Sequence, residues 1–350
     1  MDMPKDRKKA KRVVLSIVFG ALVLYFGGGI VAMLVVNHFV FDHRGSNPED
    51  ANSLENRIYK RREDYPLLQN REERHFPGKK GELYGYLYRP EGGSKGLVLF
   101  AHGMNSLSDG VEIAVENLYV EAGYSLFALD LTGSGKSEGA GMENLYQSAF
   151  DVASCYEYLV SSSLMENNFV LSGYSWGGFG VSESLSLGVK ADKLISFSAF
   201  DRPYDEMLAM ARKKVGPIVY ATVPPFAFTT WCAYGQNAFA SASDAIKKSG
   251  IKGFFVQGEN DGTVPLESTS LFNKVDAASH ELYRTDATHK TPWLSKNARK
   301  YVSDEINPKL ERINKDNIQE VDSFIATVDK EKSSEMDPLL AERIHAYLGE

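Results

Sequence analysis

Gly173-Tyr174-Ser175-Trp176-Gly177, entered through the apolar run Phe169-Val170-Leu171 and left through Gly178, reads as a buried strand, a sharp turn and the start of a helix. Small residues around such a turn let the helix pack back on the strand, leaving the serine hydroxyl at the apex. The pattern G-x-S-x-G alone is a weak sign, because with glycine at ~7% and serine near it a chain of this size carries one by chance roughly 0.1 times. Its setting of strand, turn and helix is what singles out Ser175 as a candidate nucleophile.

Outward from this elbow the same alternation repeats. Leu83-Tyr84-Gly85-Tyr86-Leu87-Tyr88 reads as an early strand and Gly96-Leu97-Val98-Leu99-Phe100-Ala101 as a buried one. A helical stretch from Val111 to Glu121, the strand Ser125 to Asp130 and a helix from Met142 to Ser161 lead to the elbow. Beyond it come strands at Leu194-Ile195-Ser196-Phe197, Gly253 to Gln257 and Glu281 to Arg284. Alternation of this kind predicts an α/β fold, a mainly parallel sheet with helices on both faces. Between Asp201 and about Ala240 it stops, and a segment rich in Met207, Met210, Pro224, Pro225, Phe226, Phe228 and Trp231 intervenes. Its place after the strand that follows the elbow suits a lid over the strand ends, where ligands bind in such sheets.

The N-terminal region has a different character. From Val13 to Val36 there are 24 residues without a charge, enough for a helix of about 36 Å. A cleaved secretory signal has a shorter apolar core and a small-x-small cleavage site, whereas this run continues into Asn37-His38-Phe39. An uncleaved transmembrane helix over residues 13–36 is therefore expected. Lys5, Arg7, Lys8, Lys9, Lys11 and Arg12 outweigh Asp2 and Asp6 before it, which predicts a cytoplasmic basic tail over 1–12 and everything after the span on the extracytoplasmic side. Residues 37–73 read as a polar stalk or linker, and 74–350 as the folded domain, with the lid insertion at about 201–240.

A serine hydroxyl needs a base to take its proton and a third group to hold that base in the right tautomer. Of the seven histidines, His289 lies in a loop after the last strand and is the expected base, while His102, in His102-Gly103, fits the shaping of a loop. For the acid, Asp261 leaves an apolar strand 28 residues before His289, and Glu259 and Asp286 compete with it as local turn formers. An oxyanion would need backbone N–H donors, for which Trp176, right after the serine, and Met104, after His102-Gly103, are the candidates.

His102-Gly103, the run Asp130-Leu131-Thr132-Gly133-Ser134-Gly135-Lys136-Ser137-Glu138-Gly139, the elbow, Gly258-Glu259-Asn260-Asp261 and His289 together resemble the α/β-hydrolase family over roughly residues 75 to 349. The order Ser, Asp, His is that family's order. Within it the chain looks most like the serine hydrolases grouped with monoacylglycerol lipases, esterases and serine aminopeptidases. The resemblance implies an eight-stranded type of sheet, a helical lid, and hydrolysis of a carboxylic ester through an acyl-enzyme. The same triad would serve an amide or peptide hydrolase. Met207, Phe226, Phe228 and Trp231 are the lid candidates for substrate contact, and their apolar character favours a small ester or lipid-like substrate. A non-catalytic binding protein on the same fold is the reading from another class.

Other partners are excluded by composition and local pattern. The net charge of -7 and the lack of a basic face argue against nucleic acid. Gly133-Ser134-Gly135-Lys136-Ser137 resembles the end of a phosphate-binding loop, but Asp130 stands at the first glycine of that pattern and Glu138-Gly139-Ala140-Gly141 is a poor helix start, so no nucleotide is expected. Neither metal nor cofactor is expected. Cys155 and Cys232 leave one disulfide open, and a pair of thiols is the simpler reading.

Overall fold

The computed structural model describes residues 5–349. Eight strands form one sheet in the order β1-β2-β4-β3-β5-β6-β7-β8: β1 (Arg71–Pro77), β2 (Glu82–Tyr88), β3 (Leu97–Ala101), β4 (Ser125–Asp130), β5 (Val170–Tyr174), β6 (Lys193–Phe197), β7 (Lys252–Gly258) and β8 (Glu281–Thr285). β1 and β2 pair antiparallel and β2 joins β4 antiparallel, while β4, β3, β5, β6, β7 and β8 run parallel. The expected α/β architecture is thus present. β1 lies outside the expected strands, because Arg71-Glu72-Glu73-Arg74-His75 carries charges on successive residues and so hides the alternation of an edge strand.

The parallel strands are apolar throughout because both faces are covered. Leu97, Leu99 and Ala101 of β3 join one core and Val98 and Phe100 the other, the period of two expected of a strand. The first core lies beneath α4 (Gln147–Ser161), α5 (Trp176–Glu183) and α8 (Ala242–Ser249), and the second beneath α3 (Ile113–Glu121) and the C-terminal helix Pro338–Gly349.

The lid segment consists of α6 (Pro203–Val215), a 3-10 stretch from Gly216 to Thr222, and α7 (Val223–Tyr234). Pro224 and Pro225 fall in the first turn of α7, where the missing N–H costs no helical hydrogen bond, so these prolines start the helix instead of breaking it.

At the N-terminus α1 (Lys5–Phe41) contains a stretch, Lys9–Ala32, that by length and composition could cross a membrane, and its apolar part is not buried. Residues 37–73 do not stand apart from the domain as the stalk reading expects. α1 runs on to Phe41, whose side chain is buried in the first core and whose carbonyl accepts from Met142 N at 2.9 Å. Gly45 N donates to Gly133 O, and Ile58, beside the short α2 (Leu54–Arg57), and Tyr65 and Leu68 are buried farther on. The few apolar residues of this polar segment are the ones that dock it, a pattern with no regular period to betray it. Cys155 is buried, Cys232 is exposed, and both are free thiols.

Candidate active site

β3, β5, β7 and β8 deliver their following loops to one edge of the sheet. In register Ala101 sits beside Gly173, so Met104 and Trp176, each three residues farther on, leave the same edge in adjacent loops. Asp261 follows β7 and His289 follows β8 at that edge.

At the elbow, Ser175 has φ 53° and ψ −112°, a conformation that L-residues avoid and that persists only where surrounding packing enforces it. The enforcement is visible at Gly177, where a Cβ would lie 2.1 Å from the carbonyl oxygen of Ala101, so only glycine lets α5 approach β3 this closely. Ser175 N donates to Phe197 O at 2.8 Å, which pins the turn to the neighbouring strand. Trp176, fully buried, donates its indole N–H to Leu145 O at 2.9 Å and begins α5 with its backbone N–H at the helix N-terminus.

Ser175 Oγ lies 2.9 Å from His289 Nε2, and His289 Nδ1 lies 2.8 Å from Asp261 Oδ2. Asp261 is buried, and its carboxylate also accepts from Gln257 Nε2 at 2.9 Å, Thr263 N at 2.9 Å and Val264 N at 2.8 Å, so its two oxygens are fixed. Of the three carboxylates weighed in the sequence, the structure brings this one to His289. Asp286 pairs with Arg299 and Lys296, and Glu259 is exposed, with its backbone N–H donating to Thr285 O. Tyr174 donates its hydroxyl to the backbone carbonyl of His289 at 2.9 Å and packs edge-on against Trp293, which holds the histidine loop over the elbow.

His102 is buried beneath this surface, and burial pushes its pKa down, keeping the ring neutral. The neutral ring donates from Nδ1 to Gly103 O at 2.7 Å and accepts at Nε2 from Leu131 N at 3.1 Å. It therefore clamps the Met104 loop to the Asp130 turn. The glycine-rich segment closes onto Asp130, which accepts from Ser108 N and Lys136 N, and the next helix begins only at Gln147.

The lid contributes a group that sequence reading missed. Glu206, in the first turn of α6, is buried within electrostatic reach of both His289 and Asp261, and burial pushes its carboxyl up to about 7. Thr269 faces it, yet neither carboxylate oxygen makes a hydrogen bond of ordinary geometry. Nothing in the local pattern of Pro203-Tyr204-Asp205-Glu206 distinguishes it from an exposed first-turn carboxylate. Of the apolar lid candidates, Met207 packs against the first core and Phe226 stacks on Tyr204 with ring centroids 4.8 Å apart. Phe228 and Trp231 face outward. A cleft of about 1000 Å³ between α8 and β8, lined by Lys247, Lys274 and His280, lies away from Ser175. Among the described residues no group of three His, Cys, Asp or Glu side chains is placed to hold a metal ion.

Residues 92–231, which run from the loop before β3 through the elbow into α7, match the family described as Serine aminopeptidase, S33. The chain is similar to this family over that stretch, which includes the elbow and takes up less than half of the 350 residues. Over 140 residues it is 30% identical to the Multifunctional-autoprocessing repeats-in-toxin proteins of Vibrio vulnificus and Vibrio cholerae, an alignment that takes up 37% of this chain and 3% of each toxin. The chain thus spans only a small fraction of the length of these curated relatives. Among solved structures it is similar to an esterase of Pyrococcus furiosus, with 18% identity, 72% of this chain and 91% of the other covered, and a TM-score of 0.49. A puromycin-hydrolyzing peptidase of Mycobacterium tuberculosis is 15% identical over 64% of this chain and 37% of the other, with a TM-score of 0.47. Est1E of Butyrivibrio proteoclasticus, solved with ferulic acid, is 16% identical over 68% of this chain and 98% of the other, with the same TM-score.

Proposed function

We propose that the chain is a membrane-anchored enzyme that cleaves a carboxylic ester through an acyl-enzyme, with Ser175 as nucleophile, His289 as general base and Asp261 as the carboxylate that orients it. The observation that carries this reading is the relay from Ser175 Oγ to His289 Nε2, 2.9 Å, and from His289 Nδ1 to Asp261 Oδ2, 2.8 Å. With Nδ1–H donated to the carboxylate, Nε2 keeps its lone pair toward the serine. As Oγ attacks the ester carbon its proton passes to Nε2, and the carbonyl oxygen becomes an oxyanion that accepts from the backbone N–H groups of Trp176 and Met104. One such donor is typically worth about 3 kcal/mol. Collapse expels the alkoxide, which takes the proton from Nε2 and leaves the acyl group on Oγ. Water then attacks this ester with His289 again the base, releasing the acid and restoring Ser175.

The apolar lid supports an acyl or alkyl substrate group, while the serine aminopeptidase description of the matched family favours an amide as the second reading. The uncharged stretch of α1 and the basic residues before it support a single span with the N-terminus cytoplasmic and the hydrolase domain outside. A fluorophosphonate probe on the purified full chain tests the enzyme: labelling is expected in the wild type and lost in Ser175→Ala, and an unlabelled, folded wild type would sink the reading. Paired aryl esters and aminoacyl anilides then decide between ester and amide.

A further inference from the structure

The lid does not simply cover the sheet edge; it also touches the N-terminal helix. The Tyr25 hydroxyl donates to Ala221 O at the start of the lid's second half, Phe26 meets Phe228 edge-on with ring centroids 6.3 Å apart, and Gly29 lies directly against Pro225. These three α1 residues fall inside its apolar stretch, not at its end. Seven to eleven residues separate them from Val36, which places them about 10–16 Å below the outer end of the span. Whatever medium surrounds α1 at this level must also surround α7.

The lid's composition fits that medium. From Val215 to Ser243 there is no Asp, Glu, Lys, Arg or His. Several large apolar side chains on this segment face outward, with Ile218 71%, Trp231 54% and Phe228 47% exposed. On an aqueous surface such exposure is unfavourable, whereas beside hydrocarbon it costs nothing. Just before it stand Arg212, Lys213 and Lys214, all exposed, at the end of α6, and the Arg212 guanidinium lies over the Tyr220 ring. Basic and aromatic groups at the edge of an apolar segment are what headgroups of a bilayer accommodate. The domain has little freedom to tilt away, since α1 continues unbroken to Phe41 in the core.

We propose that α7 is seated in the lipid bilayer against α1, forming an intramembrane helix pair whose partner surface is the acyl chains of the outer leaflet. This rests on the reading of α1 as a membrane span. The lid so placed joins the leaflet to the site edge, because α6, which carries Glu206 within electrostatic reach of His289, is the same insertion.

The exposed thiol Cys232 in α7 provides the probe, since the other cysteine is buried. The full chain, labelled at Cys232 with a bimane and reconstituted in phosphatidylcholine vesicles, is compared with a Cys232→Ser, Leu22→Cys chain labelled in α1. Doxyl groups on the lipid chains and aqueous iodide are the two quenchers, Cys232→Ser alone checks that Cys155 takes no label, and circular dichroism checks folding. We expect doxyl lipids to quench the label at 232 about as strongly as the label at 22, and iodide to quench neither. If position 22 is lipid-quenched and 232 is iodide-quenched, the helix pair is refuted and the anchor stands. If both are iodide-quenched, the anchor itself fails and the proposal with it.

Discussion

The hydroxyl of Tyr174, the residue before the elbow serine, donates to the main-chain carbonyl of His289 at 2.9 Å, so the strand that presents Ser175 also holds the loop that presents its histidine. Tyr174 is a positioning residue: its ring is buried against Trp293, and burial holds its hydroxyl well above the usual phenol range, as a neutral donor. A neutral hydrogen bond contributes about 1 kcal/mol net, and that much misplacement in the transition state lowers turnover about fivefold. Tyr174→Phe should therefore lower kcat for an aryl ester by about that factor with KM nearly unchanged. An unaltered kcat would mean that the loop is held by its other contacts.

Removing the relay should be far more costly than loosening it. Ser175→Ala and His289→Ala should each reduce ester kcat by about 10⁴ or more, and the double variant should be no worse than either, because the two act as one unit. Asp261→Asn should fall in the same range through the wrong imidazole tautomer. Asp286→Asn, which only frees Arg299 and Lys296, should leave kcat within about twofold of the wild type, the size of a lost surface pair. Rate measurements on chains with native circular dichroism check all five variants, and a silent Asp261→Asn would reassign the acid.

The parallel strands were legible because burial on both faces turns them into apolar runs, and the elbow because glycine must stand where α5 meets β3. The three residues of the relay could be ordered from strand ends alone, although their contact is a property of the folded edge. β1 was not legible, since an edge strand in water needs no apolar period. Nor was the docking of residues 41–68, which rests on isolated side chains such as Phe41 and Leu68. Glu206 was hidden for a different reason: a helix's first turn ordinarily favours a carboxylate for its dipole, so nothing in the local pattern marks this one as buried within electrostatic reach of His289.

At Gly177 the carbonyl of Ala101 lies where a methyl would go, and both are backbone, unable to yield. Gly177→Ala must push α5 away from β3, moving Ser175 and the Trp176 N–H with it. Overpacking typically costs about 1–3 kcal/mol, and a backbone clash belongs at the upper end. Urea denaturation should register that loss, and fluorophosphonate labelling of the folded fraction should slow. A variant with wild-type stability would mean that the elbow is less tightly packed than the 2.1 Å approach implies.

Two of the buried carboxyls, Glu206 and Asp151, make their own contribution to the pH dependence of stability. Burial raises Glu206 to about 7 from 4.5 and Asp151, beneath Thr132 and Gln147, to about 6 from 3.8. Between these values the folded chain holds protons that the unfolded chain has released, so stability falls as pH rises. Their contribution is fully present below about pH 4 and lost by about pH 7, opposite in sign to a salt-bridged carboxylate. Glu206→Gln removes one of the two groups and keeps a neutral side chain of the same size. Urea midpoints measured from pH 5 to 8 should therefore decline less steeply in Glu206→Gln, and the variant should be the more stable protein at pH 8, by up to about 3 kcal/mol. Parallel curves would mean that Glu206 ionises in water, which would require the lid to stand open over His289.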